Sequence, residues 1–421
     1  MPDDRAGRGG LRGLARSLTG RDARERADAL ERLVRKVSDR QREQFTALNA
    51  RIAELAAQVS QQPGAKDLHE VLDAIRALAG QIDRSIEDRL AHSDAAGRQL
   101  LDGKRLHKEL DRITAGDAPV VVGPWTGEVG FELLYWIPFL NRVREQWKLP
   151  PGRLVVLSRG GVESWYGVSR SQYADAFSSC TLEEFRAGVD PERPKQRRMT
   201  AFDQRLFDDV ARSRGTARFE TIHPELMYRM FMPYWRDEAG FSRVEQFTRY
   251  ERLAPPADDM PAGLPPEYVA VRFYFSQCFP PDAENRAFVQ GVVASLAARI
   301  PVVLLNPGVQ VDDHVDVVPA IHDRVHTIAG SVPPERNLAV QSAIIGRARA
   351  FVGTYGGYSY LAPFYGVLSL AFYSQRTFRL HHLHAAQRVF DRLGGATVLP
   401  LDVAHAPLAQ LALSSLAPAG S

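Results

Sequence analysis

The chain has 421 residues, of which 45% are apolar and 24% charged, and its formal net charge is +3. These are the proportions of a soluble globular protein of two or three domains, and so small a charge argues against a nucleic-acid partner. No apolar run approaches the roughly 20 residues that cross a bilayer, and the N-terminus lacks the apolar core of a signal peptide. Cys180 and Cys278 offer neither a disulfide framework nor a metal pattern, and fit free thiols in a reducing cytoplasm.

Residues 1–42 carry twelve Lys or Arg against seven Asp or Glu. Leu11, Leu14 and Leu18 recur at helical spacing among Arg8, Arg12 and Arg16. Such a segment reads as a basic tail or as a short amphipathic helix able to lie on an anionic membrane surface. Phe45, Leu48, Ile52, Leu55 and Val59 then form a heptad seam, broken at Pro63-Gly64 and resumed by Leu68, Val71, Ile75, Leu78 and Ile82. An earlier piece, Leu30, Leu33 and Val37, is displaced by about four residues, as in a stutter. One isolated helix does not bury such seams, so hairpin packing or self-association is expected. Residues 1–116 therefore read as a basic tail and helical coiled-coil arm.

Gly116-Asp117-Ala118-Pro119 marks the boundary to a strand–loop–helix alternation, which implies parallel sheets. Pro119 to Val122 reads as a buried strand and Gly123 to Gly130 as a glycine-spaced loop. A helix follows from Phe131, bent at Pro138. Arg153 to Leu157 and Ala217 to Ile222 are further strands, the first followed by Ser158-Arg-Gly-Gly161. The proline-rich stretch from Ala254 to Pro266 is the natural linker between two lobes, 117–255 and 267–421. The second lobe opens on Tyr268 to Tyr274, an apolar strand interrupted by Arg272, where a buried charge needs a partner. Glu284 to Leu296 reads as a helix, and Pro301 to Leu305 and Arg324 to Ile328 as strands.

The most informative stretch is Ala350 to Tyr373. A buried strand ends at Gly353, Thr354 to Gly357 turn, Tyr358 to Tyr365 fit two helical turns, Gly366 stops them, and Val367 to Phe372 resume a strand. The preceding helix, Asn337 to Arg349, sets Leu338, Ser342, Ile345 and Arg349 near one face. Gly356 and Gly357 would let a phosphate approach the backbone, and the helix start behind them offers N–H groups and a positive dipole end. The plain alternative is a tight turn without a ligand.

This helix–strand–glycine loop–helix–strand unit resembles the nucleotide-sugar half of the GT-B fold glycosyltransferases, closely over residues 268–400 and more loosely over 118–255. The resemblance implies an α/β fold of two Rossmann-like lobes behind the helical arm. It further implies a bacterial, cytoplasmic enzyme that moves a sugar from a nucleotide-sugar donor to a glycan or lipid-linked acceptor, with no separate cofactor and no metal. Arg272, Thr354, Tyr355, Gly356, Gly357 and Ser359 would meet the donor diphosphate, and Gly330 and Ser331 the nucleoside. In fucosyltransferase-like members an arginine near the end of the first strand of this lobe contacts the diphosphate. Arg272 matches it approximately, but Phe273 follows where the family pairs arginines. Related heptosyltransferases carry a histidine where this chain has Tyr360 or Leu361, which speaks against a heptose donor.

An inverting transfer needs a base for the acceptor hydroxyl. Glu128, in the first-lobe loop, is the first candidate and Glu132, one turn later, the second; each also suits a helix N-terminus as a structural carboxylate. Gly127 and Gly130 would let an acceptor approach. Trp125, Tyr135 and Trp136 are candidates to stack on a sugar or to fill a core. Asp312-Asp-His-Val-Asp316 superficially resembles an Asp-x-Asp metal motif but reads as an exposed loop. His381, His382 and His384 are crowded without completing a ligand set, and read as a surface helix or as placing one histidine in the cleft. The rival functions are a non-catalytic scaffold that binds glycan or nucleotide, and a sugar-nucleotide epimerase.

Overall fold

The computed structural model describes residues 95–421, apart from 190–195, 217, 257, 307, 309–313, 320–322, 329–331, 406–409, 411, 414–415 and 417–421. The described residues belong to one compact unit, 62–421. The basic tail and both heptad seams lie outside the described residues.

Helix α1 (Ala95–Thr114) leads into the first lobe. Strand β1 (Val120–Val122) is followed by α2 (Val129–Phe131), a π-helical segment (Glu132–Trp136) and α3 (Ile137–Gln146). Then come β2 (Leu154–Ser158), β3 (Tyr173–Asp175), α4 (Leu182–Gly188), α5 (Ala201–Ser213), β4 (Glu220–Ile222), α6 (Glu225–Trp235) and α7 (Ser242–Gln246). The second lobe runs β5 (Val269–Arg272), β6 (Tyr274–Phe275), α8 (Ala283–Ala297), β7 (Val302–Leu304), β8 (Val315–Asp316) and β9 (Val325–Thr327). It ends with α9 (Asn337–Arg347), β10 (Ala350–Thr354), α10 (Gly357–Phe364), β11 (Leu368–Tyr373), α11 (Leu380–Leu393) and β12 (Val398–Asp402).

Runs such as Val-Val-Val and Leu-Val-Val-Leu, apolar on both faces, belong to strands covered from both sides. They build two parallel sheets, ordered β3-β2-β1-β4 and β12-β11-β10-β5-β7-β9. Numbered within each lobe, the orders are 3-2-1-4 and 3-2-1-4-5-6, the doubly wound arrangement. Its crevice opens where the order reverses, outside the carboxyl ends of β1 and β4 in one lobe and of β5 and β10 in the other. A separate antiparallel pair joins β6 to β8.

Two local features depart from the sequence reading. The bend expected at Pro138 is a π-helical segment. Proline has no N–H for the carbonyl of Leu134, four residues back, and that carbonyl accepts the Tyr250 hydroxyl at 2.9 Å instead. The end of the arm is also built into the first lobe: Leu106, Leu110 and Ile113 of α1 are buried there, and Glu109 pairs with Arg229 of α6.

Candidate functional site

The loop after β1 is folded back by hydrogen bonds. Gly123 N donates to Ile222 O and Trp125 N to Leu157 O, each at 3.0 Å. The buried amide of Gln196 receives Thr126 N at 2.9 Å and donates to Pro124 O at 2.7 Å. Beneath it Asp203 holds His223 at 3.3 Å, and His223 Nδ1 accepts Glu225 N. This pins the base of the loop and leaves its tip, Gly127 and Glu128, toward solvent. Glu128 is extended, with φ −66° and ψ 142°, and stands at the N-cap of α2. Its charge lies close enough to the Tyr228 and Tyr360 hydroxyls to help raise their pKa values, behind the larger effect of burial.

Glu132 is elsewhere. It is fully buried, and its carboxylate accepts Ser158 Oγ at 2.7 Å, Tyr166 OH at 2.6 Å and Arg159 Nη1 at 2.9 Å. Burial raises its pKa against the opposing pull of Arg159. A carboxylate enclosed in this way braces the π-helical segment against β2 and has no path to an acceptor hydroxyl. Trp125 is likewise buried, 5.9 Å from Trp136 and 6.4 Å from Tyr228 in a ring stack. Tyr135 and Trp136 are buried with it, so none of the three offers a face to a sugar.

Across the seam stands the second-lobe loop. The Thr354 hydroxyl donates to Tyr274 O at 2.8 Å and accepts Tyr274 N at 3.0 Å. Ser359 Oγ donates to Gly356 O at 2.7 Å and accepts Gly356 N at 3.2 Å, a reciprocal cap on α10. Both hydroxyls are buried and committed to backbone, and so are builders of the loop. Tyr355 is buried too, its hydroxyl accepting that of Tyr360. The two glycines have separate causes. Gly356 has φ +156°, and a Cβ there would strike the Tyr274 hydroxyl. Gly357 lacks the positive φ; a Cβ on it would come within 2.8 Å of the Gly130 backbone nitrogen. The glycine loops of the two lobes thus touch each other, backbone to backbone.

Arg272 ends β5 beneath this contact. Its guanidinium donates to Gln341 Oε1 at 2.6 Å and pairs with Asp316 at 3.1 Å, and its carbon lies 4.1 Å from the centre of the Tyr358 ring. Asp316 therefore serves the arginine. Asp312 and Asp313 lie outside the described residues, as do Gly330 and Ser331. Among the described residues no group of three His, Cys, Asp or Glu could hold a metal, and no helix is long and apolar enough to cross a membrane. The three histidines of α11 face the first lobe rather than forming a surface cluster: His381 meets Asp237 at 2.8 Å, His382 meets Tyr135 OH at 2.9 Å, and His384 meets Tyr234 OH at 3.2 Å.

Arg159 was not singled out from sequence, although one signal was present: it directly follows strand β2, as Arg272 ends β5. It is 5% exposed, pairs with Glu132, and donates to Gly127 O from Nη2.

No family model matches the chain, and no curated protein matches it. Among solved structures it is similar to TibC, an iron-containing dodecameric bacterial glycosyltransferase from enterotoxigenic E. coli H10407, at 14% identity and a TM-score of 0.34. That likeness covers 61% of this chain and 58% of TibC, so the chain spans little more than half of that relative. It is similar also to the E. coli heptosyltransferase WaaC with ADP, at 11% identity over 71% of this chain and 98% of WaaC, with a TM-score of 0.36. A putative UDP-N-acetylglucosamine 2-epimerase from Listeria monocytogenes gives 12% identity over 71% and 89%, with a TM-score of 0.34.

Proposed function

We propose that the protein is a glycosyltransferase of the GT-B type, moving a sugar from a nucleotide-sugar donor to a glycan or lipid-linked acceptor without a metal. The observation that carries this reading is the meeting of the two lobes at their strand carboxyl ends. There an exposed carboxylate, Glu128, on one side and a buried guanidinium, Arg272, on the other border one seam. Two-substrate chemistry suits such a seam. The Glu128 carboxylate would take the acceptor hydroxyl proton as that oxygen bonds to the anomeric carbon. The bond from that carbon to the diphosphate would break, and the nucleoside diphosphate would leave with the electron pair. Arg272, the Gly356–Gly357 backbone and the positive end of α10 would meet the charge that develops on the diphosphate. Service in bacterial surface polysaccharide synthesis, with the arm self-associating or docking on the membrane, is the setting that fits this chemistry.

The test is turnover. The full chain, screened with nucleotide sugars and saturated with EDTA, should release nucleoside diphosphate in step with acceptor glycosylation. Donor binding without release would favour a scaffold. Activity that a chelator stops and manganese restores would overturn the metal-free reading.

A further inference from the structure

Arg159 and Arg272 both stand at the carboxyl end of a parallel strand. One directly follows the second strand of the first lobe, the other ends the first strand of the second lobe, and each is more than nine-tenths buried against a carboxylate. Burying such a pair seldom stabilises a fold more than apolar side chains of the same volume would. Two separate arginines kept at one seam therefore ask for a role.

A chain of contacts joins them. Arg159 donates to the carbonyl of Gly127, which opens the loop carrying Glu128. Gly130, three residues on, packs against the Cα of Gly357. The next residue, Tyr358, lies over the Arg272 guanidinium. Tyr358 is half-buried, so part of its side chain reaches solvent. A guanidinium has five N–H donors. The bonds of Arg159 to Glu132 and to Gly127 use two of them. The Tyr358 hydroxyl is also within electrostatic reach of Arg159.

We propose that Arg159 is the first lobe's contribution to the diphosphate site, so that the donor's two phosphates are gripped by one arginine from each lobe, on either side of Tyr358. The proposal rests on the glycosyltransferase reading and deepens it. A diphosphate, with two anionic groups a few ångströms apart, matches two separated guanidiniums in a way that a monophosphate does not. The arrangement also ties the loop of Glu128 to the occupancy of the donor site through the Gly127 carbonyl.

Calorimetric titration of the full chain with ADP, UDP and GDP, and with the matching monophosphates, tests it. Removing Arg159 alone would leave Glu132 buried and unpaired, so the variant is the double Glu132→Gln/Arg159→Met, with Arg272→Met beside it. The expected result is a loss of at least tenfold in diphosphate affinity in both variants, with monophosphate affinity lowered in one variant at most, because a monophosphate meets only one of the two guanidiniums. If Arg272→Met loses diphosphate affinity and the double variant does not, the role of Arg159 is overturned and the glycosyltransferase reading stands. Equal losses for mono- and diphosphates in both variants would make Arg159 a structural residue and overturn the inference. If no nucleoside diphosphate binds the wild-type chain, both readings fall. Should the double variant not fold, Arg159→Lys, which keeps a charge opposite Glu132 and loses the planar fork, is measured against the same criteria.

Discussion

Glu128 and Glu132 show how far one helical turn separates two roles. Spacing ranks Glu128 first and Glu132 second as the base without excluding either, because a sequence pattern does not say which side of a loop faces solvent. The structure gives one to solvent and encloses the other with Ser158, Tyr166 and Arg159. Their substitutions should therefore differ in kind. Glu128→Gln should leave stability within about 0.5 kcal/mol, as for an exposed site, and lower the transfer rate by about 100-fold. Glu132→Gln leaves the buried Arg159 charge without its carboxylate and should cost about 3–5 kcal/mol of stability. Urea melts of both variants, read beside their rates, check this. A stable Glu132→Gln protein with a large rate defect would return Glu132 to the chemistry.

At the scale of elements, the strands and helices of the second lobe were legible because their periodicities were unmixed. The Ala350–Thr354 strand, the Gly357–Phe364 helix and the Leu368–Tyr373 strand fall within a residue or so of their expected bounds. The site was less legible. Thr354 and Ser359 have the residue types of phosphate ligands, but pairing partners distant in sequence, or the local cap, claim their hydroxyls. Gly357 reads from sequence as a close approach for phosphate, and its missing Cβ also answers to a contact with Gly130, 227 residues away in the other lobe. Contacts across such separations leave no local pattern. The same holds for α1, which looks like the last piece of a helical arm but fills the first lobe's core with Leu106, Leu110 and Ile113. Deleting residues 1–94 should leave a soluble folded body. Deleting residues 1–115 should remove those three side chains, at about 2 kcal/mol each, and leave an aggregating one. Thermal melts and light scattering of the two truncations distinguish these outcomes; equal behaviour would show that α1 is dispensable.

Helix α11 carries a pH dependence of its own. His384 is buried against Tyr234, and burial first, then Arg388 and His381, push its pKa down to about 3. An unfolded histidine titrates near 6.5. Above that pH both states are neutral and the burial costs nothing. As pH falls from about 6.5 toward 3 the unfolded chain takes up a proton that the folded one does not, and stability drops by at most about 1.4 kcal/mol per pH unit. Asp175 works in the opposite sense. Burial raises its carboxyl to about 7, so the folded chain gains on the unfolded one as pH falls from 7 toward 4. The two slopes partly cancel in the wild type. His384→Leu keeps the Tyr234 hydroxyl bonded to His381 O and should remove only the first slope. Its melting temperature, relative to wild type, should rise steadily from pH 6.5 to pH 4.5. A constant difference across that range would mean that His384 does not titrate as argued.

At the scale of the molecule, the seam joins the lobes over much more than the candidate site. Trp165 of the first lobe is buried, and its Nε1 lies 2.9 Å from Ser342 Oγ and 3.0 Å from Tyr365 OH of the second. A Cβ on Gly160 would strike Leu338, and Ala339 N donates to Gly160 O at 2.9 Å. Helix α11 lays His382 against the aromatic cluster of Phe131, Tyr135 and Trp235. An interface with buried tryptophan and backbone hydrogen bonds resembles a core more than the polar contact between independent domains. The two lobes should accordingly unfold together, and calorimetry of the chain lacking residues 1–94 should give one transition whose calorimetric and van't Hoff enthalpies agree. Trp165→Ala, which opens a large void at the seam, should lower that single transition, as expected for a loss of about 3–5 kcal/mol, and should not split it. Two resolved transitions in the parent would mean that the lobes are held by the linker and by ligand alone. The contact between Gly130 and Gly357 would then be one position of a moving joint instead of a fixed part of the fold.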